Sequence, residues 1–538
     1  MLSQGRRSDG RAASGGNSFT TPATPPITVH DDVPNSPVWH RTFLRMLTIG
    51  PPGDSHENQP DVNSCRGDYA GQMPQRALRD RLIELEVPSE DLARGRALRK
   101  TAPRRSLAQL TPSSRTATEI LVAQNADRLK ELVPLRFARM LADPFSFYRG
   151  SAAVMAADLA ASPSSGIEVM CCGDAHVSNF GLYAAPHRSI VFDLNDFDEA
   201  AVAPAEWDVK RLITSAIIGG RHAKYPGKAI RRCVEEALSG YQTSLEAMLE
   251  EMNVLDRYYL RVEPEHYTGT MSKGLQAVIQ KTISRARTRT SERVFKQIME
   301  IGVDGTPRLR EAPPVLQHVE EDVEAPLIES VQEYLAAVPA DVALLLSHFR
   351  VTDIALRVVG VGSVGTRCYL VILVGPNGTP LIMQIKEATR SVLDEYGGWP
   401  QPDALTAAVE AKGQGVRVID GQLILQAMSD VFLGTTRKDG RDYYVRQFHD
   451  MKGSIDTEGM SASIFSEYVL ACAVLLARAH AQSANASILR GYVGTSSAVH
   501  DAVADWAYAY ADKSLDDFHQ LRAAAAAGDI EVADDAAR

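Results

Sequence analysis

The segment CCGDAHVSNFG, residues 171–181, places an aspartate, a histidine and an asparagine among small or apolar residues. Phosphoryl transfer needs few protein groups: a carboxylate that orients the acceptor hydroxyl, and oxygen ligands that hold Mg²⁺ against the nucleotide phosphates. Asp174 and Asn179 are five residues apart, the separation between base and metal-binding asparagine in kinase catalytic loops. The spacing therefore predicts Asp174 as the catalytic carboxylate and Asn179 as a metal ligand.

More acidic residues follow the apolar strand pattern SIVF. Asp193 stands at the end of that pattern, fourteen residues after Asn179, and Asp196 and Asp198 come shortly after it. The end of a strand can aim a carboxylate rigidly at the Mg²⁺ that Asn179 binds. We expect Asp193 to be a metal ligand, with Asp196 and Asp198 as secondary candidates. The alternative is a solvated acidic loop, with Asp174 and Asn179 capping a turn.

Glycines recur in GVGSVG, which contains Gly360, Gly362, Ser363 and Gly365. The G-x-G-x-x-G pattern serves both dinucleotide-binding folds and protein kinases. A dinucleotide-binding loop opens a helix, whereas the TRCYLVILVG that follows here is strand-like and ends in a turn. The context favours a kinase-type loop whose backbone lies over nucleotide phosphates. A plain structural hairpin is the alternative.

A lysine follows the next hairpin turn, GPNGTP, within the strand pattern LIMQIKEA. Lys386 stands among apolar residues there, as does the kinase lysine that binds the α/β-phosphates and pairs with a helix glutamate. Glu410 is the candidate partner and Glu395 the alternative. The segment GQLILQAMSD is expected to be one more strand, and residues 426–428 within it are a candidate hinge that contacts a nucleobase through backbone groups.

The motifs GDAHVSN and VFDLNDFD resemble the GDxHxxN…IDW signature of aminoglycoside phosphotransferases and related small-molecule kinases. This resemblance implies that His176 shapes the catalytic loop and that Asp208, in AEWDVKRL, supports it. Cys172 occupies the place where most of these kinases have histidine, so the support of the loop must differ. Arg149, in FYRGSA, suits either phosphate recognition or a buried salt bridge.

Several motifs in order resemble the bacterial proteins grouped as domain of unknown function 2252. They run from about residue 94 to the end and are RALRKTAPR, LVPLRFARMLADPFSFYRGSAAVMAADLA, CGDAHVSNFGLY, FDLNDFDEA, EWDVKRL and LARAHAQS. Membership of that family implies a relation to the protein-kinase-like fold and implies no substrate.

The order of these motifs differs from that of kinases, in which the glycine loop and lysine precede the catalytic loop. Here they follow it, and LLARAHA, which resembles the helix before the catalytic loop, comes later still. We therefore predict an α+β, protein-kinase-like two-lobe fold that is circularly permuted. Its expected parts are a disordered tail over 1–75, a helical lobe with the catalytic and metal-binding loops over 76–345, a small β-rich nucleotide-binding lobe over 346–435, and helices returning to the large lobe over 436–538.

Composition narrows the class of protein. The 538 residues are 45% hydrophobic and 23% charged, as in ordinary globular proteins. A net charge of −10 predicts no bulk attraction to nucleic acid or anionic membranes. We see no apolar run long enough to span a bilayer, no secretory signal, and no metal-site or redox spacing among the six cysteines. We expect a cytoplasmic protein whose basic segment, residues 93–106, is a solvated surface.

Together these features predict a Mg²⁺-dependent phosphotransferase that uses ATP or a similar nucleotide and an unidentified hydroxyl acceptor, either a small molecule or a protein. Two alternatives stay open: a nucleotide-binding, pseudokinase-type regulator without turnover, and a nucleotide-independent metal hydrolase built on the aspartate cluster. The sequence does not specify the acceptor or the oligomeric state.

Overall fold

The computed structural model describes residues 88–301, 307–319, 321–358, 360–448 and 451–534. Within them the fold is mixed α+β, with 55% helix and antiparallel sheets. The tail expected over residues 1–75 lies outside the described residues.

Helices make up most of the described chain. In chain order they are α1 (Pro88–Leu98), α2 (Ala117–Gln124), α3 (Val133–Met140), α4 (Pro144–Gly150), α5 (Ala152–Ala161), α6 (Ala205–His222), α7 (Gly227–Glu250), α8 (Val254–Tyr259), α9 (Lys273–Arg287), α10 (Ser291–Ile298), α11 (Glu321–Ala337), α12 (Ala340–Leu346), α13 (Val392–Glu395), α14 (Asp403–Lys412), α15 (Gln414–Leu425), α16 (Ala462–His480), α17 (Ala486–Val493) and α18 (Ala498–Ala527). Pro134 and Pro144 lie in the first turns of α3 and α4, where a missing N–H is tolerated. The two prolines therefore begin helices.

The strands pair in antiparallel sheets. In chain order they are β1 (Glu168–Cys171), β2 (Phe180–Ala184), β3 (Ile190–Leu194), β4 (Ala201–Pro204), β5 (Met299–Ile301), β6 (Pro307–Leu309), β7 (Leu316–His318), β8 (Arg350–Arg357), β9 (Cys368–Val374), β10 (Pro380–Glu387), β11 (Gly434–Lys438), β12 (Arg441–Gln447) and β13 (Gly453–Ser454). Six strands form one sheet in the order β11-β12-β10-β9-β8-β7, three form β13-β2-β3, and β1 pairs with β4 and β5 with β6.

We call the six-stranded sheet and the helices packed on it the smaller lobe, because the sheet has hydrophobic clusters of its own; the remaining helices, with β1 to β4, form the larger lobe. The sheet extends beyond residues 346–435 at both ends. Its β9–β10 hairpin turns at Asn377 and Gly378, whose φ angles are +58° and +73°, as the GPNGTP pattern predicts. Strand β10 pairs with β9 on one side and β12 on the other, with Lys386 opposite Cys368 and Tyr444. Lys386 therefore lies in the middle of the sheet.

The segment GQLIL, expected to be a strand, is the second half of helix α15. Buried residues along α15, such as Val418, Gln422 and Leu425, recur every three or four residues, which is the helical period. The prediction was wrong because a short apolar run such as LIL does not distinguish strand from helix on its own.

Helix α16 lies in the core of the larger lobe. It packs against α7 so closely that a Cβ atom at Gly240 would stand 2.2 Å from Leu470 Cδ1. By length and a mean hydropathy of 1.5, α16 is the candidate membrane span among the described helices, and 72% of that window is buried inside the fold. From the sequence, we expected no apolar run long enough to span a bilayer, and α16 meets that length and hydropathy. Its burial inside the fold is typical of a core helix.

Residues that follow α16 lie beside β1, the strand that leads into the loop of residues 172–179. The backbone N–H of Met170 donates to Ser483 Oγ at 2.9 Å, and Asn485 Nδ2 donates to the Glu168 carbonyl oxygen at 3.0 Å. Segments more than 300 residues apart in the chain are thus adjacent in the fold, with separations of 313 and 317 residues for these two contacts.

Candidate active site

The loop after β1, residues 172–179, is held by a buried carboxylate. Asp208, in the first turn of α6, accepts hydrogen bonds from the backbone N–H groups of Cys172 at 2.7 Å and Gly173 at 3.0 Å. Gly173 has a φ of +78°, and a Cβ atom there would stand 2.1 Å from the Glu199 carbonyl oxygen, so only glycine fits. These contacts fix the backbone immediately before Asp174.

An imidazole from α16 lies against the same carboxylate. His480 Nε2 is 3.4 Å from Asp208 Oδ2, and His480 Nδ1 is 2.7 Å from the Tyr241 hydroxyl. His480 thus contacts, from the far end of the chain, the carboxylate that holds this loop. In the sequence comparison with small-molecule kinases, the loop itself has Cys172 at the position of a histidine.

Potential ligand atoms of Cys171, Asp208 and His480 lie within 4.8 Å of one another. Burial raises the pKa of the Cys171 thiol well above its usual value, and both Asp208 oxygens already accept amide hydrogen bonds. We therefore interpret this cluster as structural.

The residues after Asp174 form a short 3₁₀ turn, Val177–Asn179. His176 precedes it and accepts the Ser178 N–H through Nδ1 at 3.2 Å. Burial lowers the pKa of His176 well below its usual value, which keeps Nδ1 available as an acceptor. Asn179 Nδ2 donates to the Asp174 carbonyl oxygen at 2.7 Å, so these side chains hold the loop in one shape.

Asp174 itself is ion-paired. Its Oδ1 accepts from Arg211 Nε at 2.8 Å and from a terminal nitrogen of the same guanidinium at 2.7 Å. Arg211 also donates to the Tyr148 carbonyl oxygen and stacks 4.0 Å above the Tyr148 ring. Burial raises the pKa of Asp174, while Arg211 and Arg149 act in the opposite direction. Asp174 Oδ2, which Arg211 does not bind, lies 3.6 Å from His176 Nε2.

Asp193 is engaged inside the larger lobe. Its Oδ1 accepts from the Leu194 N–H at 2.9 Å and its Oδ2 from the Ala427 N–H at 2.8 Å, and the residue is 2% exposed. Two adjoining cavities, of about 620 and 110 Å³, lie between the lobes in the described structure. Asp193 lines neither of them, whereas Asp196 lines both. Asp193 therefore fixes the segment at residue 427, and Asp196 is better placed to meet a ligand.

Lys386 and Asp198 form an ion pair that joins the sheet to the larger lobe. Asp198 also accepts the Tyr444 hydroxyl at 2.7 Å and the Ser363 hydroxyl at 3.3 Å. Burial alone would raise the pKa of Asp198, but Lys386, the Tyr444 hydroxyl and Arg446 lower it to about 2. In turn, Asp198 raises the pKa of Lys386 against the effect of burial. Both side chains are therefore charged.

The two glutamates considered as partners of Lys386 lie elsewhere. Glu410 is exposed on α14, where its carbonyl oxygen accepts from Arg437 at 3.3 Å. Glu395 ends α13 and lines the smaller of the two cavities. The partner of Lys386 is instead an aspartate 188 residues earlier in the chain.

The glycine loop, Gly360 to Gly365, bridges the lobes through its carbonyl groups. Gly360 and Gly365 have φ angles of +71° and +87°, which favour glycine. Arg139 donates to the Gly360 carbonyl oxygen at 2.6 Å, and the Leu129 N–H donates to that of Gly365 at 2.8 Å. Arg128 donates to a third loop carbonyl at 2.5 Å. All three donors belong to the segment between α2 and the end of α3.

Two cavities meet between the lobes. The larger has a volume of about 620 Å³ and is lined by Asn179 and Gly360, among others. The smaller has a volume of about 110 Å³ and contains Asp174. Arg149 and Asp196 line both, so the two cavities share a boundary next to the catalytic loop.

Arg149 lies at this boundary beneath the glycine loop. A Cβ atom at Gly362 would stand 3.5 Å from the Arg149 carbonyl oxygen, and Gly362 and Ser363 line the smaller cavity. The Nε of Arg149 is buried and has no hydrogen-bond partner among the described residues. A guanidinium with unused donors next to Asp174 and Asp196 is suited to a phosphate group.

Residues 128–524 match the profile of a family described as uncharacterized protein conserved in bacteria (DUF2252). The chain belongs to this family. The matched region contains the catalytic loop, the acidic segment after β3, the glycine loop and Lys386. No curated protein and no solved structure matches the chain.

The boundary residues of this DUF2252 chain fit Mg²⁺. The Asp196 carboxylate accepts one hydrogen bond within the described residues, from the Asp198 N–H at 3.3 Å. Asn179 Oδ1 accepts none within the same residues. Burial, and then Asp198, raise the pKa of Asp196, so a cation there would relieve an unfavourable carboxylate. Carboxylate and amide oxygens are the ligands that Mg²⁺ prefers.

The candidate hinge at residues 426–428 is partly used within the protein. The Ala427 N–H is bound by Asp193, and the Met428 carbonyl oxygen accepts the Tyr183 hydroxyl at 2.7 Å. Gln426 donates to the Leu194 carbonyl oxygen at 2.7 Å and lines the larger cavity. Two of the backbone groups expected to meet a nucleobase are thus occupied.

Sequence reasoning missed the cations around the site. Arg211 follows Asp208 by three residues on α6, a spacing that puts both on one helix face and was available as a signal. Arg357, Arg446 and Lys452 line the larger cavity. They lie at the ends of strands or just beyond one, where arginine and lysine are common on solvated surfaces, so their sequence positions carry no comparable signal.

Proposed function

We propose that this DUF2252 chain is a Mg²⁺-dependent phosphotransferase that moves the terminal phosphoryl group of ATP or a similar nucleotide to a hydroxyl acceptor. One observation carries the proposal: Asp174, Asn179, Asp196 and Asp198 line two adjoining cavities together with the glycine loop, and Asp198 is ion-paired with the buried Lys386 behind them. A carboxylate, metal ligands, a lysine and a glycine-rich cover are the parts that phosphoryl transfer uses.

The order of elements in the smaller lobe supports a kinase-like fold as part of this proposal. A strand, a glycine loop, a second strand, a hairpin and a lysine-bearing strand follow one another as β8, residues 360–365, β9 and β10. Protein kinases likewise have a glycine-rich loop followed by a lysine on the third strand. Helices α13 to α15 then precede β11 and β12, which complete the sheet.

Contacts between distant segments support the permuted order. In the kinases that this chain resembles, a helix leads into the catalytic loop, and here the corresponding helix is α16. Its last residue, His480, lies against Asp208, and Ser483 binds the backbone of β1. A chain joined from the end of α16 to β1 would follow the usual order. Because contacts do not depend on where a chain is opened, permutation preserves such a site.

The proposed reaction uses each group once. Asp174 Oδ2 accepts a hydrogen bond from the acceptor hydroxyl and takes its proton. The hydroxyl oxygen forms a bond to the terminal phosphorus as the bond from that phosphorus to the bridging oxygen breaks. The nucleoside diphosphate leaves with that electron pair. Asn179 and Asp196 would hold Mg²⁺, which neutralises charge on the phosphates, and Arg149 lies where the transferred group would pass.

The geometry gives less support to the alternatives. A nucleotide-independent hydrolase would need Asp193, Asp196 and Asp198 around one metal, yet Asp193 binds backbone amides and Asp198 pairs with Lys386. A regulator without turnover would keep the cleft, and only an activity measurement separates it from an enzyme.

The test compares wild type with Asp174→Asn, which keeps shape and removes the proton acceptor. Titration with Mg·ATP measures binding, and release or transfer of labelled terminal phosphate measures turnover. We expect unchanged nucleotide affinity and a loss of turnover of roughly 10²- to 10⁴-fold, the usual contribution of general-base catalysis.

Asp516→Asn, an exposed aspartate on α18, is the matched control and should behave as wild type. Equal turnover by wild type and Asp174→Asn would reject the assignment of Asp174. Binding of Mg·ATP without turnover by wild type would favour the regulator.

A further inference from the structure

The larger cavity is lined by cations that the proposed reaction does not use. They are Arg357 at the end of β8, Arg446 on β12 and Lys452 after β12, and the carboxylates of Asp196 and Asp430 line the same cavity. We call these three cations the basic wall. Arg357 and Arg446 belong to strands of the six-stranded sheet.

The cations of the basic wall have no carboxylate partner within ion-pair distance in the described part of the chain. Arg446 donates through Nε to Gln384 Oε1 at 2.8 Å, and Lys452 donates to the Asn195 carbonyl oxygen at 3.2 Å. Arg357 lies 4.8 Å above the Phe448 ring, and its buried Nε has no hydrogen-bond partner among the described residues. Neutral groups thus hold the cations in place without neutralising them.

A bound anion would compensate the positive charge of these cations, none of which has an ion-pair partner among the described residues. Removing cations from water is costly when no opposite charge compensates them. Burial and then Arg446 lower the pKa of Lys452 to about 7, and burial lowers that of Arg357. Burial is the largest cause in both cases, whereas Tyr444, Asp196 and Asp198 raise the pKa of Arg446 against the effect of burial.

The charged groups of the basic wall are suited to binding a phosphate group. Two guanidinium groups and an ammonium group provide several charge-assisted donors, which suit the tetrahedral oxygens of a phosphate group. The wall also differs from the transfer end, which is marked by Asn179 and Asp196 and suits a metal-bound phosphate.

We propose that the basic wall, Arg357, Arg446 and Lys452, is a second phosphate-binding subsite in the larger cavity, next to the transfer end, where Lys452 donates to the Asn195 carbonyl oxygen. The inference rests on the proposed function for the identity of the transfer end. The phosphate has two possible sources: the phosphate chain of the nucleotide itself, or a phosphate group carried by the acceptor.

Titration calorimetry with inorganic pyrophosphate tests the subsite without turnover. Wild type should bind pyrophosphate, and Arg357→Gln should weaken binding by roughly ten- to a hundredfold, since a charge-assisted hydrogen bond contributes about 1.5–3 kcal/mol. Lys452→Met should weaken it in the same way. Arg350→Gln, an exposed arginine on the same strand as Arg357, is the matched control and should bind as wild type. Thermal unfolding of each variant confirms that it is folded.

The source of the phosphate follows from repeating the titration at saturating Mg·ADP. Exclusion of pyrophosphate by ADP assigns the wall to the nucleotide's own phosphates, whereas binding beside ADP assigns it to a phosphorylated acceptor. The inference is overturned if wild type does not bind pyrophosphate, or if Arg357→Gln and Lys452→Met bind it as tightly as the control.

The two proposals fail in different ways. If wild type shows no phosphate transfer but Arg357→Gln still loses pyrophosphate, then the proposed function fails and the subsite stands. If turnover depends on Asp174 while pyrophosphate binding is the same in all variants, the subsite alone fails.

Discussion

The candidate catalytic loop, residues 172–179, and the glycine loop line the same two adjoining cavities, yet different contacts hold them. In the catalytic loop, backbone N–H groups are bound by Asp208, a carboxylate that is 1% exposed and belongs to the same lobe. In the glycine loop, backbone carbonyl groups are bound by Arg128 and Arg139, which reach across from the other lobe.

The difference indicates which side of the site is fixed. A buried, hydrogen-bonded carboxylate is costly to disrupt, because its removal leaves buried amides unsatisfied. The contact of Arg139 with the Gly360 carbonyl oxygen is exposed, so it exchanges with water at little cost. We infer that the catalytic loop is preorganised and that the glycine loop is the part that yields when a nucleotide enters.

The largest effect on stability should come from removing Asp208, the carboxylate that holds the loop of residues 172–179. Asp208→Ala leaves the N–H groups of Cys172 and Gly173 without acceptors, so we expect a loss of about 3–5 kcal/mol in the free energy of unfolding. Denaturant unfolding measures it, with Asp516→Ala on α18 as the exposed control. A loss no larger than that of the control would contradict the view that this loop depends on a buried carboxylate.

The contact between the lobes gives the next largest effect. Lys386→Met leaves Asp198 charged and unpaired, and Asp198→Asn leaves Lys386 in the same state, so each should destabilise the protein. The double variant should recover part of the loss, with a coupling energy of about 1–3 kcal/mol. A double-mutant cycle on unfolding free energies measures the coupling. Strict additivity would show that the ion pair does not join the lobes energetically.

The arginine that binds the glycine loop should affect local opening of that loop more than the stability of the whole protein. Arg139→Ala removes one exposed contact to the Gly360 carbonyl oxygen, so we expect less than about 1 kcal/mol change in unfolding free energy. The loop should then open more easily, and hydrogen exchange of its amides should speed up relative to wild type. Arg350→Ala is the control. Unchanged exchange in Arg139→Ala, or a stability loss as large as that of Asp208→Ala, would contradict the comparison.

The last effect concerns pH. Glu199 lies between the two regions, its carboxylate accepting the Val392 N–H at 2.8 Å, and burial raises its pKa from 4.5 to about 7. Between these pH values the folded protein binds a proton that the unfolded chain has lost, so this group makes stability fall as pH rises.

Thermal unfolding of Glu199→Gln over that pH range should therefore show a flatter profile than wild type. Glu329→Gln, an exposed glutamate on α11, should keep the wild-type profile. Parallel profiles for wild type and Glu199→Gln would show that Glu199 does not titrate in this range.

The sequence predicted local structure best where short-range chemistry decides it. Glycine and asparagine in GPNGTP specify the β9–β10 hairpin, and the alternation after the glycine loop specifies a strand. The run LIL carried no such information, because a short apolar run fits either a strand or a helix, and α15 was missed.

The sequence pointed to individual residues of the candidate site but not to the contacts that these residues make with one another. Spacing indicated Asp174 and Asn179 because both belong to one loop. The ion pair of Lys386 with Asp198, and the support of Asp208 by His480, join residues separated by 188 and 272 positions. Such contacts arise from packing between lobes, and no local pattern records them.

The most direct test is a crystal structure of the protein with Mg²⁺ and a non-hydrolysable ATP analogue. The account predicts the phosphates in the larger cavity, with Mg²⁺ bound by Asn179 and Asp196 and the terminal phosphate facing Asp174. A nucleotide bound outside the cleft, or a metal bound by Asp193 instead, would contradict it.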